Sequence, residues 1–278
     1  MDHEPPHALS PPEAGLLLRA WRQRRRLSQL ALATEAEISQ RHLSFLESGR
    51  ARPSREMVLR LGEQLQIPLR ARNEILLAAG HAPHYPQRPL EAPALSAARE
   101  TIQRILEGHM PHPALAADRR WRLLASNRGV ARLLEGVAPH LLEGEVNVLR
   151  LSLHPEGLAP RILNLGQWRR HLLERLAHEA AHSADPALSA LREELAAYPA
   201  PGASSEPRAP AARPADWRED RIALPLRLSS PAGPLSFLST TTVFGTAVDV
   251  TLSEVTIEAF FPADAATQRA MDRLAAAG

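Results

Sequence analysis

The hydrophobic positions change their spacing part-way along the chain. From residue 13 to about residue 80 they recur every three or four residues, which is the spacing of amphipathic helices. After about residue 112, several short stretches alternate apolar and polar residues, as half-buried strands do. The pattern therefore predicts an all-helical N-terminal domain followed by a mixed domain of strands and helices.

Local signals mark the ends of five predicted helices in the N-terminal domain. Ser28, Ser39 and Ser54 each precede an amphipathic stretch, and a serine in this position accepts a hydrogen bond from a backbone N–H of the first helical turn. Gly49 follows the third stretch, where a left-handed residue closes a helix at little cost. The third helix should turn its leucines inward and leave polar side chains on the opposite face.

The segment 27–55, LSQLALATEAEISQRHLSFLESGRARPSR, resembles the helix-turn-helix of the repressor/Cro-like (XRE-type) DNA-binding domains. The resemblance covers about residues 13–80 and implies that the second helix of the motif lies in the major groove. On that helix we expect Gln40, Arg41 and Ser44 to read base edges. The side chains expected to contact phosphates are Gln29, Ser39, Arg50 and Arg52.

One position departs from that family pattern. The turn between the two helices usually carries glycine, and the matching residue here is Glu37. Because a residue other than glycine is uncommon at positive φ, the turn is expected to be strained or differently shaped. A helical bundle of this kind can also contact another protein instead of DNA, and the sequence leaves that alternative open.

Proline-rich and low-complexity stretches suggest the domain boundaries. The sequence predicts a frayed N-terminus at 1–12, the DNA-binding domain at 13–80, a linker at 81–94 and a second domain at 95–278. Within the second domain, residues 199–216 have the composition of a flexible surface insertion.

The second domain opens with a predicted helix and two short strands around a polar turn at Asp118 and Arg119. Asn127 follows as a helix cap. Helices are predicted at 167–182 and 187–198, and strands at 221–228, 235–244 and 250–261. A last helix, capped by Asp264, is predicted at 265–276.

The order of strand, turn, strand, Asn and helix resembles the opening of PAS-type sensor domains. The blocks ALAADRRWRLLASNRGVARLL, NVLRLSLHPEGLAPRILNLGQW and SFLSTTTVFGTAVDVTLSEVTIEAFFPAD resemble the ligand-binding domain of the MmyB-like transcription regulators. The resemblance implies a fold of α and α+β domains, in which a PAS-like sheet with covering helices follows the five-helix bundle. It implies a one-component regulator that binds a small apolar ligand such as a fatty acid. Because such DNA-binding domains commonly occupy paired half-sites, we expect a homodimer.

The candidate ligand-binding residues are apolar or aromatic groups that the resemblance places on the sheet and its covering helices, together with two histidines as candidate polar anchors. They are Trp121, Leu149, Leu151, Trp168, Phe237, Thr241 and Phe244, with His154 and His171 as the anchors.

A competing motif lies in the middle of the second domain. The run His178-Glu179-Ala180-Ala181-His182 is a literal H-E-x-x-H, which on a helix can place two imidazoles on one zinc ion with the glutamate as general base. The alternative function is thus a helix-turn-helix protein joined to a zinc metallopeptidase. Asp185 and Leu188 stand where the longer metallopeptidase pattern has Gly and His, and Glu193 or Glu194 would have to supply the third ligand. We therefore expect neither a catalytic nor a metal site.

Composition adds few constraints. All 33 basic residues are arginine, and residues 1–80 carry a net charge of +3 against −1 for the remainder, a small surplus where phosphate would bind. The cluster Arg22, Arg24, Arg25 and Arg26 either faces the DNA backbone or complements a helix dipole. The chain contains no cysteine and no long apolar run, so we expect a soluble, cytoplasmic protein that needs no membrane and no cofactor besides its ligand.

Overall fold

The computed structural model describes residues 11–199 and 223–276, and contacts along its backbone divide the chain into two units. The helical unit comprises Met1–Pro89 and Gly245–Ser253, and the sheet unit comprises Leu90–Phe244 and Glu254–Gly278. The insertion predicted at 199–216 lies outside the described residues except for Pro199. The terminus predicted at 1–12 also lies outside them, except for residues 11 and 12, which begin the first helix.

The helical unit contains the five predicted helices. They are α1 (Pro11–Arg24), α2 (Gln29–Glu35), α3 (Gln40–Glu47), α4 (Arg55–Gln64) and α5 (Leu69–Ala78). The three predicted serine caps are present: Ser28, Ser39 and Ser54 each accept a hydrogen bond from the backbone N–H three residues later, at 3.0 to 3.2 Å. One core joins the helices, and its fully buried members include Leu18, Leu32, Leu43, Leu46, Leu61 and Leu76.

The turn between α2 and α3 has the left-handed backbone conformation for which the family usually carries glycine. Glu37 lies at φ 53°, in the left-handed region. Its backbone N–H donates to Thr34 O at 3.2 Å, and the N–H of Ile38 donates to Ala33 O at 2.9 Å. These bonds close the end of α2 around a residue whose Cβ makes the conformation unfavourable.

Part of the predicted linker packs within the helical unit. The side-chain oxygen of Asn73 accepts hydrogen bonds from the backbone N–H groups of His84 and Tyr85, at 2.9 and 3.0 Å. The same unit includes a short helix from the distant segment Gly245–Ser253, α11 (Val250–Ser253). The N–H of Val250 donates to Pro86 O at 2.8 Å, and Arg88 pairs with Asp249 at 3.2 Å.

The sheet unit is built on a five-stranded antiparallel sheet of order β2-β1-β5-β4-β3. Its strands are β1 (Ala114–Ala117), β2 (Leu123–Ser126), β3 (Leu226–Leu228), β4 (Leu235–Val243) and β5 (Thr256–Pro262). Its helices are α6 (Ser96–Gly108), α7 (Arg128–Leu133), α8 (Val148–Leu153), α9 (Leu165–Ser183), α10 (Pro186–Ala197) and α12 (Ala265–Ala276). A helical bundle followed by a sheet with covering helices confirms the predicted fold class.

Alternation along the strands separates two apolar layers. On one face, Leu115 of β1 and Phe260 of β5 join the large cluster formed with α8, α9 and α10. On the other face, Ala116 and Ile257 pack with Ile102 and Leu106 of α6. The sheet is therefore covered by helices on both faces.

Two of the predicted strands are shorter than expected. Residues 221 and 222 of the strand predicted at 221–228 lie outside the described residues, and from residue 223 onward the strand, β3, begins only at Leu226. The strand predicted at 250–261 is β5, which begins at Thr256. The second difference has a local cause. Asp249 accepts hydrogen bonds from the N–H groups of Thr251 and Leu252, at 2.9 and 3.4 Å, and so begins α11 where the alternation of side chains predicted a strand.

Asn127 caps α7 as predicted and also connects three elements. Its oxygen accepts from the N–H groups of Val130 and Ala114, at 3.3 and 3.1 Å. Its amide donates to Leu106 O of α6 at 2.9 Å and to His112 O at 2.8 Å. All four bonds lie at a buried residue, so the side chain fixes α6, β1 and α7 relative to one another within the sheet unit.

Candidate nucleic-acid interface and ligand cavity

The polar face of α3 is exposed at its N-terminal end. The Ser39 side chain caps the helix by accepting from the N–H of His42, and the side chains of Gln40 and Arg41 project into solvent. Ser44 is half-buried one turn later. The opposite face is fixed by Leu43 and Leu46, both fully buried, so the three predicted base-reading side chains share the free face of α3.

The aromatic ring of Phe45 supports two arginines beside this face. The guanidinium carbon of Arg41 lies 5.4 Å from the ring centroid, and that of Arg50 lies 5.9 Å from it. Both residues are exposed, so each contact restricts a long side chain without neutralising its charge. His42 is exposed next to them and was not among the residues chosen from the sequence.

The predicted phosphate contacts are placed less uniformly. Arg50 and Arg52 are both exposed, but Arg52 also donates from Nε to Ala79 O at 2.5 Å and lies against Gly80. Gln29 donates its amide to Glu47 at 2.8 Å, and the Ser39 hydroxyl oxygen accepts the capping bond. Gln29, Ser39 and Arg52 therefore already form hydrogen bonds within the protein. Only their remaining donor groups are available to contact phosphate.

A buried carboxylate joins the first three helices. Glu47 of α3 accepts two hydrogen bonds from Arg22 of α1, at 2.6 and 2.8 Å, and one from Gln29 of α2. Burial by itself would raise the pKa of Glu47, but the hydrogen bonds from Arg22 and Gln29 outweigh burial and hold the pKa below its usual value. The arginines that end α1 were expected either to face the DNA backbone or to complement a helix dipole. Arg22 does neither, because it pairs with Glu47, and Arg25 donates to Leu65 O and Gln66 O.

An apolar cavity of about 70 Å³ lies between the sheet and α7, α8 and α9. Its walls are leucine-rich and include Leu115, Leu133, Leu172 and Phe260. One hydroxyl group lies in the part of the lining that the structure describes, that of Ser152, and it accepts a hydrogen bond from the indole N–H of Trp168 at 2.9 Å. Such a cavity selects for apolar groups, because a polar group entering it would lose hydrogen bonds to water.

Three of the nine predicted ligand-binding residues line this cavity: Leu149, Leu151 and Trp168. Phe237 is buried in the adjoining core, and Phe244 packs on the other face of the sheet. His171 is exposed 5.6 Å from the Trp168 ring, and the ring of His154 stacks edge-on against Tyr198. These positions follow from the direction in which each helix or strand turns its side chains, which the resemblance alone did not specify.

Trp121 and Thr241 belong to a polar cluster around Arg175 on α9. The guanidinium carbon of Arg175 lies 4.3 Å from the Trp121 ring centroid, and Arg175 donates to Thr241 at 3.4 Å and to Glu258. Glu258 is buried and lines the cavity, and among the described residues of the lining it is the only charged one. Sequence reasoning missed Glu258, although an acidic residue two positions before Phe260 on an inward-facing strand was a usable signal.

The H-E-x-x-H motif takes part in the same cluster. One carboxylate oxygen of Glu179 accepts from Arg175 at 3.0 Å, and the other accepts from the indole N–H of Trp121 at 2.8 Å. Glu194, a candidate third ligand, pairs with Arg150 at 2.7 Å. Within the described ranges, His178 and His182 belong to no group of three metal-ligating side chains. The hydrogen bonds from Arg175 and Trp121 thus give Glu179 a structural role in this cluster.

Comparison with known proteins bears on the same two regions. A family described as the MmyB-like transcription regulator ligand binding domain matches residues 98–274, which is more than half of the chain. The chain belongs to the MmyB-like transcription regulators. A second family, described as helix-turn-helix, matches residues 18–71 of this MmyB-like regulator. These matches confirm both resemblances.

Two solved structures similar to this MmyB-like regulator are crystal structures of the clp gene regulator ClgR from Corynebacterium glutamicum. One is 26% identical and covers 25% of this chain and 86% of that chain; the other is 27% identical and covers 36% and 93%. Both have a TM-score of 0.22. A comparison with curated proteins finds no match.

The family matches and the geometry of α3 identify a DNA-binding transcription regulator with a ligand-binding domain. Within the part of the chain that the structure describes, no helix combines the length and hydropathy needed to span a bilayer.

Proposed function

We propose that this chain is a one-component regulator whose sheet unit binds a small apolar molecule and thereby changes the affinity of the helical unit for an operator. The apolar cavity beside the sheet carries this proposal, because a leucine-rich cavity in a ligand-binding domain favours an apolar occupant. A fatty acid is the ligand class that the family resemblance implies.

The size of the cavity sets a condition on ligand entry. Its volume of about 70 Å³ is well below the roughly 300 to 1,000 Å³ of most small-molecule pockets. A ligand with a long hydrocarbon chain therefore requires the leucine side chains of α7 and α8 to move apart. Such a ligand stabilises the open arrangement only by the difference between its affinities for the two arrangements.

On the DNA side, we propose that Gln40, Arg41 and Ser44 read bases while Arg50 and the exposed backbone near Ser39 contact phosphates. Occupation of two half-sites about one helical turn apart implies a homodimer. Sedimentation of the full chain on a two-site operator measures this directly. A complex containing one chain at saturation would exclude the dimer.

The experiment for the ligand is mass spectrometry of an organic extract of the full chain, followed by titration of the extracted compound into the protein–operator complex. We expect a stoichiometric apolar molecule whose addition changes operator affinity. An empty protein that also fails to bind an apolar fluorescent dye would refute the apolar-ligand proposal. Salt-dependent operator binding by the same sample would still support the DNA-binding function.

A further inference from the structure

Two loops of the sheet unit bring two histidines and a glutamate together. His140 lies in the short 3-10 turn Pro139–Leu141 after α7, and His154 and Glu156 lie in the loop that follows α8. One imidazole nitrogen of each histidine and one carboxylate oxygen of Glu156 all lie within 4.8 Å of one another. Across residues 11–199 and 223–276, no other three metal-ligating side chains form such a group.

Backbone hydrogen bonds hold the two loops against each other. The N–H of Ala138 donates to Glu156 O at 3.0 Å, and the N–H of Gly157 donates to His154 O at 2.9 Å. The chain turns so tightly at Gly157 that a Cβ atom there would lie 2.3 Å from Leu151 O. Because the backbone alone makes these contacts, the three side chains are brought together before any ion binds, which lowers the cost of ordering them.

The three side chains are accessible and carry suitable donor atoms. The side chains of His140 and Glu156 are 57% and 64% exposed, so an ion can reach them from solvent. The His154 ring packs edge-on against His140 and Tyr198, with centroids 5.9 and 5.1 Å away. Its Nδ1 atom accepts from the N–H of Glu156 at 3.1 Å. That nitrogen is therefore unprotonated, which is the state in which an imidazole nitrogen binds a metal.

The separations fit a bound ion after small side-chain rotations. His140 Nε2 lies 3.8 Å from Glu156 Oε2. Zinc bonds of about 2.0 to 2.2 Å at tetrahedral angles place two ligand atoms roughly 3.3 Å apart. Rotation of two exposed side chains closes this difference without movement of the backbone. Two imidazoles and one carboxylate leave the fourth position of a zinc ion to water.

We infer that His140, His154 and Glu156 form a binding site for a divalent transition-metal ion such as Zn²⁺. Imidazole nitrogen suits transition metals, whereas Mg²⁺ and Ca²⁺ prefer oxygen ligands. The site is separate from the H-E-x-x-H run, whose histidines do not belong to the group. A bound ion links the turn after α7 to the loop after α8, and both helices wall the apolar cavity. The inference goes beyond the proposed function and does not depend on that cavity being occupied.

The test is calorimetric titration of the metal-free full chain with Zn²⁺ near neutral pH, where histidine is mostly unprotonated. We expect about one Zn²⁺ per chain to bind, since the group offers a single set of three ligands. Excess Mg²⁺ or Ca²⁺ should not weaken this binding, because neither ion favours nitrogen ligands.

Substitution of the two exposed ligands identifies the site. His140→Ala and Glu156→Gln should each weaken Zn²⁺ binding at least about tenfold, because each removes one of three protein ligands. The matched controls are His171→Ala and Glu135→Gln, since both residues are exposed in the sheet unit and lie outside the group. Each control should change the affinity by less than about twofold.

Hydrogen exchange supplies a site-specific readout. The amides of Ala138 and Gly157 donate to the backbone oxygens of Glu156 and His154, so their exchange reports whether the two loops stay together. Zn²⁺ should slow the exchange of both amides in the wild type, because an ion that binds only the folded loops stabilises them. It should not slow exchange in His140→Ala.

Three results would overturn the inference. The first is the absence of Zn²⁺ binding at concentrations up to about 100 μM. The second is wild-type affinity in either His140→Ala or Glu156→Gln. The third is loss of binding in His178→Ala, which would assign the ion to the H-E-x-x-H run. Each of these results leaves the proposal for the apolar cavity intact, because that proposal rests on the extracted ligand.

Discussion

At the scale of single residues, the turn of the helix-turn-helix depends on a side chain in an unfavourable conformation. Glu37 lies at φ 53°, where the Cβ atom crowds the backbone, and its side chain is exposed. The hydrogen bonds that close α2 and the burial of Leu43 on α3 hold it there. The strain is thus offset by contacts elsewhere in the unit.

Replacing Glu37 with asparagine should relieve this strain, because asparagine tolerates the left-handed region better than other residues that carry a Cβ. We expect Glu37→Asn to raise the free energy of unfolding of the helical unit by roughly 0.5 to 1 kcal/mol. Hydrogen exchange of the α2 and α3 amides in the full chain measures it. Glu35→Asn is the control: it makes the same substitution within α2 and should be slightly destabilising. Equal effects of the two changes would contradict the strain argument.

Arg41 is the residue on which sequence readout can be tested most directly. We expect Arg41→Ala to cost about 1 to 3 kcal/mol on the operator and to relax the preference at one base pair, because a bidentate contact to guanine is lost. Fluorescence anisotropy with operator and random DNA measures both effects. Arg269→Ala, at an exposed position of α12, removes the same charge and should leave both affinities unchanged. Equal losses on operator and random DNA would assign Arg41 to phosphate contact instead.

At the scale of elements, the arrangement of α1, α2 and α3 depends on one ion pair. The side chains of Arg22 and Glu47 are 10% and 2% exposed, so each charged group is bonded mainly to the other and very little to solvent. Removing one partner of such a pair leaves a buried charge and costs more than the pair contributes. Because α3 carries the side chains proposed to read bases, the pair also fixes the orientation of that proposed base-reading face.

We expect Arg22→Ala to destabilise the helical unit by about 3 to 5 kcal/mol. The double variant Arg22→Met with Glu47→Leu should be less destabilised, because it leaves no charge behind. Hydrogen exchange of the α1 and α3 amides in the full chain measures both effects. The argument fails if the double variant is less stable than the single one.

The same pair predicts how stability depends on pH. The pKa of Glu47 is lower in the folded chain than its ordinary value of 4.5, so folding favours the ionised carboxylate. Its contribution is fully present above about pH 4.5 and is lost as the pH falls through the folded-state pKa. Unfolding followed at α3 should therefore become easier in acid. Glu47→Gln should show a weaker pH dependence over that range, and an unchanged dependence would assign the effect to other carboxylates.

At the scale of the whole molecule, the helical unit is not continuous in sequence. It includes Gly245–Ser253, which stands between β4 and β5 along the chain. Val250 of this segment is fully buried, and Asp249 is buried and paired with Arg88. A fragment that ends at Pro89 therefore lacks part of its own unit.

We expect a 1–89 fragment to keep α1 to α5 but to lose protection at α5 and at residues 81–89. The free energy of opening at these residues should be lower in the fragment by about 1 to 2 kcal/mol, because the fragment lacks one backbone hydrogen bond and one ion pair. Hydrogen exchange of the fragment and of the full chain provides the comparison. The variant Asp249→Asn in the full chain should reproduce part of the loss at 81–89. Full protection of those residues in the fragment would show that the distant segment is dispensable.

The sequence by itself determined what depends on neighbours along the chain. Ser28, Ser39, Ser54 and Asn127 cap helices as predicted because a cap bonds a backbone N–H only three residues away. The spacing of hydrophobic residues likewise predicted the helical bundle and the mixed domain. The quoted sequence segments identified both families.

Tertiary structure decided what depends on residues distant in sequence. Arg22 meets Glu47, Glu179 meets Trp121, and Arg175 meets Glu258 only because helices and strands pack together. These contacts joined Glu179 of the H-E-x-x-H run to a cluster of hydrogen bonds and placed the carboxylate of Glu258 in the lining of the apolar cavity. Which side chains line a cavity depends on how several elements are rotated against one another. For that reason six of the nine ligand-binding candidates lie outside the lining of the apolar cavity.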